Sequence, residues 1–184
     1  MAWPQRLDFG TVRHFTLDNL HSNLERFKEN PERFMQFHEE SEWVLGYAIP
    51  PFQRPIVWDE SRMVKFVESA ILGMNLGTYT YNNTMNFDHQ TRNTAGQEIW
   101  MYDKWLIDGQ QRLTALQKYW NNEFPVYELY WGEVPENQKR RFLSTGFAAS
   151  ETQLMDETLI RDLYDRMNFG GVAHTEEMRA LPKV

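Results

Sequence analysis

The chain contains no cysteine. That absence removes disulfides, thiolate zinc sites, cysteine nucleophiles and thiol redox chemistry together. No apolar run approaches the roughly 20 residues that cross a bilayer, so no membrane partner is expected. The opening residues "MAWPQRLDFG" have no apolar signal core, which makes the cytoplasm the expected location. The five histidines (14, 21, 38, 89 and 174) show neither an i,i+4 pair nor metal-ligand spacing. No Ser-His-Asp ordering and no P-loop is present. Positive charge is scarce as well. Nineteen Lys and Arg face 26 Asp and Glu, giving a net charge of −7 and a pI near 5.3. Charge therefore does not demand nucleic acid, and "KRRF" at 139–142 reads as a solvated helix face.

What is present suits one globular unit. The 184 residues are 41% hydrophobic and 15% aromatic, enough for a real core. Leu17, Leu20, Leu24 and Phe27 recur at helical spacing and predict a helix over 17–29. Asn30-Pro31 restarts a second helix, with Asn as cap and Pro at the first position. Residues 43–49, "WVLGYAI", read as extended. They lead into "PPFQRPIVW", where three prolines forbid helix and fix a loop-like path. Asp59 caps a helix at about 60–73, with Met63, Phe66, Val67, Ala70 and Ile71 on one face. "GTYTYN" alternates as a strand. Residues 82–97 are polar and aperiodic, and predict a long hairpin loop. "EIWMYDKWLI" (98–107) and "FPVYELYW" (124–131) predict strands, and 110–120 a helix. Pro135 opens a helix to about 144, and Asp156 caps one at 157–168 that ends at "NFGG". Thr175 caps a last helical turn. There is no repeat, no low-complexity tract and no linker. Strands and helices without regular alternation indicate α+β.

Three stretches carry possible chemistry. In "WLIDGQQRLTAL" an apolar strand stops at Asp108-Gly109-Gln110-Gln111-Arg112 and resumes at once as a helix. Such a turn aims unpaired helix N–H groups and a positive dipole end at whatever lies above it. Arg112 suits bidentate phosphate contact, and Asp108 suits Mg²⁺ or a positioned water. On spacing alone the ordinary reading leads, with Asp108 as cap and Gly109 as turn. In "FQRPIVW", Arg54 stands on a rigid segment, and Trp58 is either core or a stacking surface. In "RMNFGGVAHTEE", Asn168, Gly170 and Gly171 are either a helix C-cap or a place of close backbone approach.

Taken together, "IPPFQRPIVWDESRMVKFVESAILG", "WLIDGQQRLTAL" and "LYDRMNFGGVAHTEEMRAL" resemble the ParB-like domains with the DGQQR motif. Such domains form the N-terminal part of GmrSD-type, modification-dependent restriction proteins and related phage-defence effectors. The resemblance runs from about residue 45 to the C-terminus. It implies a single ParB/sulfiredoxin-like domain, with a small mixed sheet flanked by helices over 43–184. Residues 1–42 would add an N-terminal helical segment packed on that core. It also implies NTP binding and hydrolysis or phosphoryl transfer with Mg²⁺. By resemblance Asp108, Arg112 and Arg54 are the catalytic set, with Asp108 as the Mg²⁺ position. Gln53, Arg54, Gly109, Gln110, Gln111, Arg112, Asn168, Gly170 and Gly171 are the nucleotide-binding set. Partners by the same token are a nucleoside triphosphate and DNA or a nuclease or defence protein, in a host's cytoplasm were the chain phage-encoded.

Two departures stand out. Relatives continue into a His-Asn-His nuclease domain near where this chain reads Val184, and "GMNLGTYTY" lacks the proline-containing turn they often have. Two other readings stay open: a non-catalytic nucleotide- or DNA-sensing module or decoy, and a ParB-like DNA nickase. The polar loop 82–97 is expected at the far end of a hairpin, over 30 Å from Asp108 at roughly 3.3 Å per residue.

Overall fold

The computed structural model describes residues 10–35, 38, 41–85, 90–92, 96 and 98–169. In chain order the elements are β1 (Thr11–Arg13), α1 (Leu17–Glu29), α2 (Pro31–Met35), β2 (Trp43–Val44), β3 (Tyr47–Ala48) and α3 (Glu60–Ile71). Next come β4 (Thr78–Asn82), β5 (Gln90–Arg92), β6 (Glu98–Trp100), β7 (Leu106–Asp108), α4 (Gln110–Trp120), a 3-10 turn (Trp131–Glu133), α5 (Glu136–Leu143), β8 (Ala148–Thr152) and α6 (Glu157–Phe169). The fold is α+β, built on a four-stranded mixed sheet in the order β1-β8-β4-β7. β8 runs parallel to β4 and antiparallel to β1, while β4 and β7 are antiparallel. Two-stranded pairs β2-β3 and β5-β6 lie outside this sheet. Among the described residues, no helix is long and apolar enough to cross a membrane.

Strand alternation divides the core. On β7, Leu106 faces a cluster with Tyr79, Tyr81, Val67, Leu113 and Leu116, whereas Ile107 faces one with Phe52, Trp105, Ile160, Leu163 and Tyr164. Helices α1, α3 and α4 thus supply one layer and α6 the other. Leu17, Leu20 and Leu24 of α1 belong to the first cluster, and burying each contributes about 1.5–3 kcal/mol. The caps act as the residue types dictate. The Arg62 N–H donates to Asp59 Oδ1 at 2.9 Å, Arg33 N–H to Asn30 Oδ1 at 3.2 Å and Thr158 N–H to Asp156 Oδ1 at 2.8 Å.

Four sequence expectations need correction. Residues 43–49 are not one strand but a hairpin, turned by Leu45 and Gly46 at φ 49° and 76°. "EIWMYDKWLI" is not continuous: Tyr102 and Lys104 take positive φ between β6 and β7. Asp103 at that break is fully buried and accepts the Thr84 N–H at 2.8 Å, which holds the chain in its turn. "FPVYELYW" forms no strand either. Val126 and Leu129 exchange both backbone hydrogen bonds around Tyr127 and Glu128, which are at positive φ, so the aromatic run closes a tight turn. The polar stretch after Asn82 contains the β5-β6 pair. Of that stretch, 86–89, 93–95 and 97 lie outside the described residues, as do the predicted turn at Thr175, His89 and His174.

The break also brings the Asn82 end of that stretch close to the turn. Only β7 stands between the Trp105 carbonyl, which accepts the Asn82 N–H at 2.8 Å, and Asp108. That is roughly 10 Å of chain.

Glu151 joins three strands. Burial works to raise its pKa, but hydrogen bonds from Tyr81, Arg13 and Asn83 outweigh burial and hold the carboxyl below its ordinary value. His38 is the counterpart on the other side. Trp105 Nε1–H donates to its Nδ1 at 3.2 Å, so Nε2 carries the proton and donates to the Asp103 carbonyl at 2.6 Å. Burial lowers its pKa, against the Asp103 bond, because the charged imidazolium loses its solvation there. Burial likewise lowers His21, packed edge-on against Trp120 at 5.1 Å. Folded pKa values below the unfolded one of ~6.5 mean that the unfolded chain binds more protons in this range. Stability from these groups is present above the unfolded value and is lost as pH falls through the folded one. The melting temperature is therefore expected to drop as pH falls from neutral through and below about 6.5, and to drop less in His38→Gln, which keeps a donor and an acceptor without titrating. An unchanged pH slope in His38→Gln would remove His38 from this account.

Candidate functional site

The site begins where β7 ends. Asp108 closes the strand, Gly109 takes φ 103°, and α4 starts at Gln110. Leu113 N–H is the first intrahelical donor, reaching the Gly109 carbonyl at 2.9 Å. The N–H groups of Gln110, Gln111 and Arg112 precede it and have no carbonyl within the helix to reach. Gly109 is required twice over. Its φ is left-handed, and a Cβ there would stand 2.6 Å from the Tyr79 Cβ.

The Pro-rich segment is pinned across this turn by two glutamines. Gln53 Nε2 donates to the carbonyls of Leu106 and Ile107. Gln111 Oε1 accepts the N–H groups of Val57 and Trp58, both at 3.0 Å. These amides supply the hydrogen-bond partners that a segment with three prolines cannot find in a sheet. Helix α6 closes the third side: Arg54 Nη2 donates to Asn168 Oδ1 at 3.3 Å, and the Arg54 backbone N–H donates to the Tyr164 hydroxyl at 3.3 Å.

The result is a cleft of about 180 Å³ lined by Gln53, Arg54, Trp58, Ile107, Asp108 to Arg112, Tyr164 and Asn168. All of the expected site residues within the described chain meet here. Gly170 and Gly171 lie outside the described residues. The two arginines differ in what they can do. Arg112 donates to the Leu76 carbonyl at 3.0 Å, the Thr78 carbonyl at 2.9 Å and Asp108 Oδ2 at 2.8 Å, and lies over the Phe147 ring at 5.6 Å. Its guanidinium is thus committed to the protein, and it fixes Asp108 against β4. Arg54 makes one side-chain bond, to Asn168, which leaves its other N–H donors without a partner among the described residues. Gln110 is 8% exposed and lines the cleft, and its amide has no partner there either.

Sequence reading missed Tyr164 as a site residue. The signal was available, since Tyr164 precedes Asn168 by four positions and so shares its helix face. Burial chiefly raises its pKa; Arg54 opposes this and the nearby Asp165 and Asp108 add to it. Among the described residues no cluster of three or more His, Asp or Glu side chains offers a metal cage.

These features define an α+β domain whose strand-to-helix turn, proline-braced loop and final helix converge on one donor-lined cleft. The chain belongs to the family of GmrSD restriction endonuclease N-terminal domains, whose model matches residues 32–153. Membership ties it to restriction and defence. The matched segment starts before residue 45, within α2, and ends before α6, so Tyr164 and Asn168 fall outside it. No curated protein and no solved structure matches the chain.

Proposed function

We propose that the cleft binds the phosphate chain of a nucleoside triphosphate with Mg²⁺ and hydrolyses it or transfers its terminal phosphoryl group, as a ParB-like DGQQR module serving restriction or counter-defence. One observation carries this reading. The helix N-terminus, the uncommitted Arg54 donors and the unpaired Gln110 amide converge on a single cleft, with Asp108 as its acid. Donors without acceptors at a positive dipole end call for an anion. Volume limits what enters. About 180 Å³ is below the roughly 300–1,000 Å³ of sites that enclose whole small molecules. It suits a phosphate chain with the nucleoside outside, along the lip of Trp58 and the exposed Ile56 and Val57.

Mg²⁺ commonly binds through one or two carboxylates plus substrate phosphates, and one carboxylate is what the cleft offers. Asp108 would hold it through Oδ1, since Oδ2 accepts from Arg112. The ion would supply charge neutralisation on the phosphate oxygens. Arg54 and the N–H groups of α4 bind and orient the chain; Arg112 keeps Asp108 in place. DNA or a nuclease or defence protein would be the downstream partner.

The test incubates purified protein with each nucleoside triphosphate and Mg²⁺, and measures phosphate release alongside nicking of supercoiled plasmid. Phosphate release is expected, and Arg54→Ala is expected to weaken nucleotide binding by roughly tenfold or more, the loss of a charged hydrogen bond. Binding without release would identify a sensing module, nicking without nucleotide a nuclease, and no binding at all would end the proposal.

A further inference from the structure

One donor in the cleft was not among the expected site residues, although it stands in the third stretch, four positions before Asn168. Tyr164 lies on α6, beyond the matched segment, and is only 3% exposed. Its ring packs edge-on against Phe52 at 5.6 Å, so the phenol has little freedom to move. The hydroxyl oxygen accepts the Arg54 backbone N–H at 3.3 Å. A phenol both accepts and donates, and the hydrogen of this one has no acceptor among the described residues. A buried donor left unmade is costly. Yet this one faces the same cleft as the Arg54 guanidinium, the Gln110 amide and the first N–H groups of α4.

We infer that Tyr164 is a ligand-binding residue of the cleft, donating its hydroxyl hydrogen to an oxygen of the bound polyphosphate. The inference rests on the anion-cleft reading above. Geometry supports it in two ways. The Arg54 N–H occupies a lone pair of the hydroxyl, which leaves its hydrogen as the group to be satisfied. Asp108 lies near enough to act on the phenol electrostatically but makes no hydrogen bond with it; its Oδ2 accepts from Arg112 at 2.8 Å. Burial, moreover, keeps the phenol protonated at neutral pH. A neutral donor beside Arg54 adds a contact without adding charge, and it ties α6 to the ligand.

A positioning role through the Arg54 backbone is the rival, and a double-mutant cycle separates the two. Binding of inorganic triphosphate with Mg²⁺ is measured by calorimetry on wild type, Tyr164→Phe, Arg54→Ala and the double variant. Triphosphate is raised in the Arg54→Ala backgrounds until binding registers as protection against thermal unfolding. Tyr164→Phe is expected to weaken binding about tenfold, the scale of one hydrogen bond to a charged group. Its ligand-free melting temperature should stay near wild type, and a loss of similar size should persist with Arg54→Ala. Equal binding by wild type and Tyr164→Phe overturns the inference alone. So does a loss that disappears once the Arg54 side chain is gone, because Tyr164 would then act only through Arg54. A wild-type protein that binds no triphosphate overturns the anion-cleft reading and this inference with it.

Discussion

Asp108→Ala is expected to cut phosphate release from nucleoside triphosphate by roughly 100-fold or more, the scale seen when a group that stabilises developing charge is removed. Among the described residues Asp108 is the one carboxylate lining the cleft, and its Oδ1 makes no hydrogen bond there. The pair with Arg112 is partly solvated, with side chains 20% and 29% exposed, so its loss should lower stability by about 1 kcal/mol or less. Arg112 would keep the Leu76 and Thr78 carbonyls as acceptors. Asp108→Asn sharpens the result. Its amide oxygen can still accept from Arg112, yet it carries no charge for a cation, so it should be as inactive as the alanine variant and nearer to wild type in melting temperature. Wild-type phosphate release by pure, folded Asp108→Ala would remove Asp108 from the mechanism.

The largest loss of stability is expected from Gly109→Ala. A methyl group there meets Tyr79 Cβ at 2.6 Å and the Tyr79 Cα at 3.4 Å, and Tyr79 is itself fully buried. Neither the strand nor α4 can retreat cheaply, because Leu113 and Leu116 pack the helix against the same cluster. Overpacking of a closed core costs about 1–3 kcal/mol, and holding a non-glycine residue in a sparsely populated left-handed region adds about 1–3 kcal/mol. A total near 3 kcal/mol or more should lower the melting temperature by roughly 6–12 °C in a chain of this size. Gly73→Ala is the control. It also has positive φ, at 72°, but a Cβ there meets nothing within 4 Å, so only the conformational part should appear. Equal melting temperatures for Gly109→Ala and Gly73→Ala would refute the close-packing argument.

Local signals made much of this legible in the chain. Leu17, Leu20 and Leu24 predicted α1 because period and burial agree. Asn30, Asp59 and Asp156 marked helix starts because a short side chain that caps an N–H acts within three residues of itself. The Asp-Gly-Gln-Gln-Arg turn was readable for the same reason: a glycine between an apolar strand and a helical pattern leaves little choice of backbone.

Aromatic content misled where tertiary packing set the path. "FPVYELYW" has strand-like composition, yet Phe124, Val126 and Trp131 reach the core by turning at Tyr127 and Glu128. "AASET" has no strand signal of its own; β8 exists because β1 and β4 satisfy its backbone on both sides.

The cleft divides along the same line. By itself the sequence determined which turn would present helix N–H groups, because those groups lie within a few residues of Gly109. Only the tertiary structure decided which arginine keeps most of its donors unpaired among the described residues. Arg54 and Arg112 are alike in sequence, but contacts from Leu76, Thr78 and Phe147, more than 30 positions from Arg112, bind one guanidinium into the fold. Tyr164 reaches the cleft through α6 packing on Ile107, a contact between residues more than 50 positions apart. No local pattern encodes such a contact, since it depends on how the two layers close over the sheet.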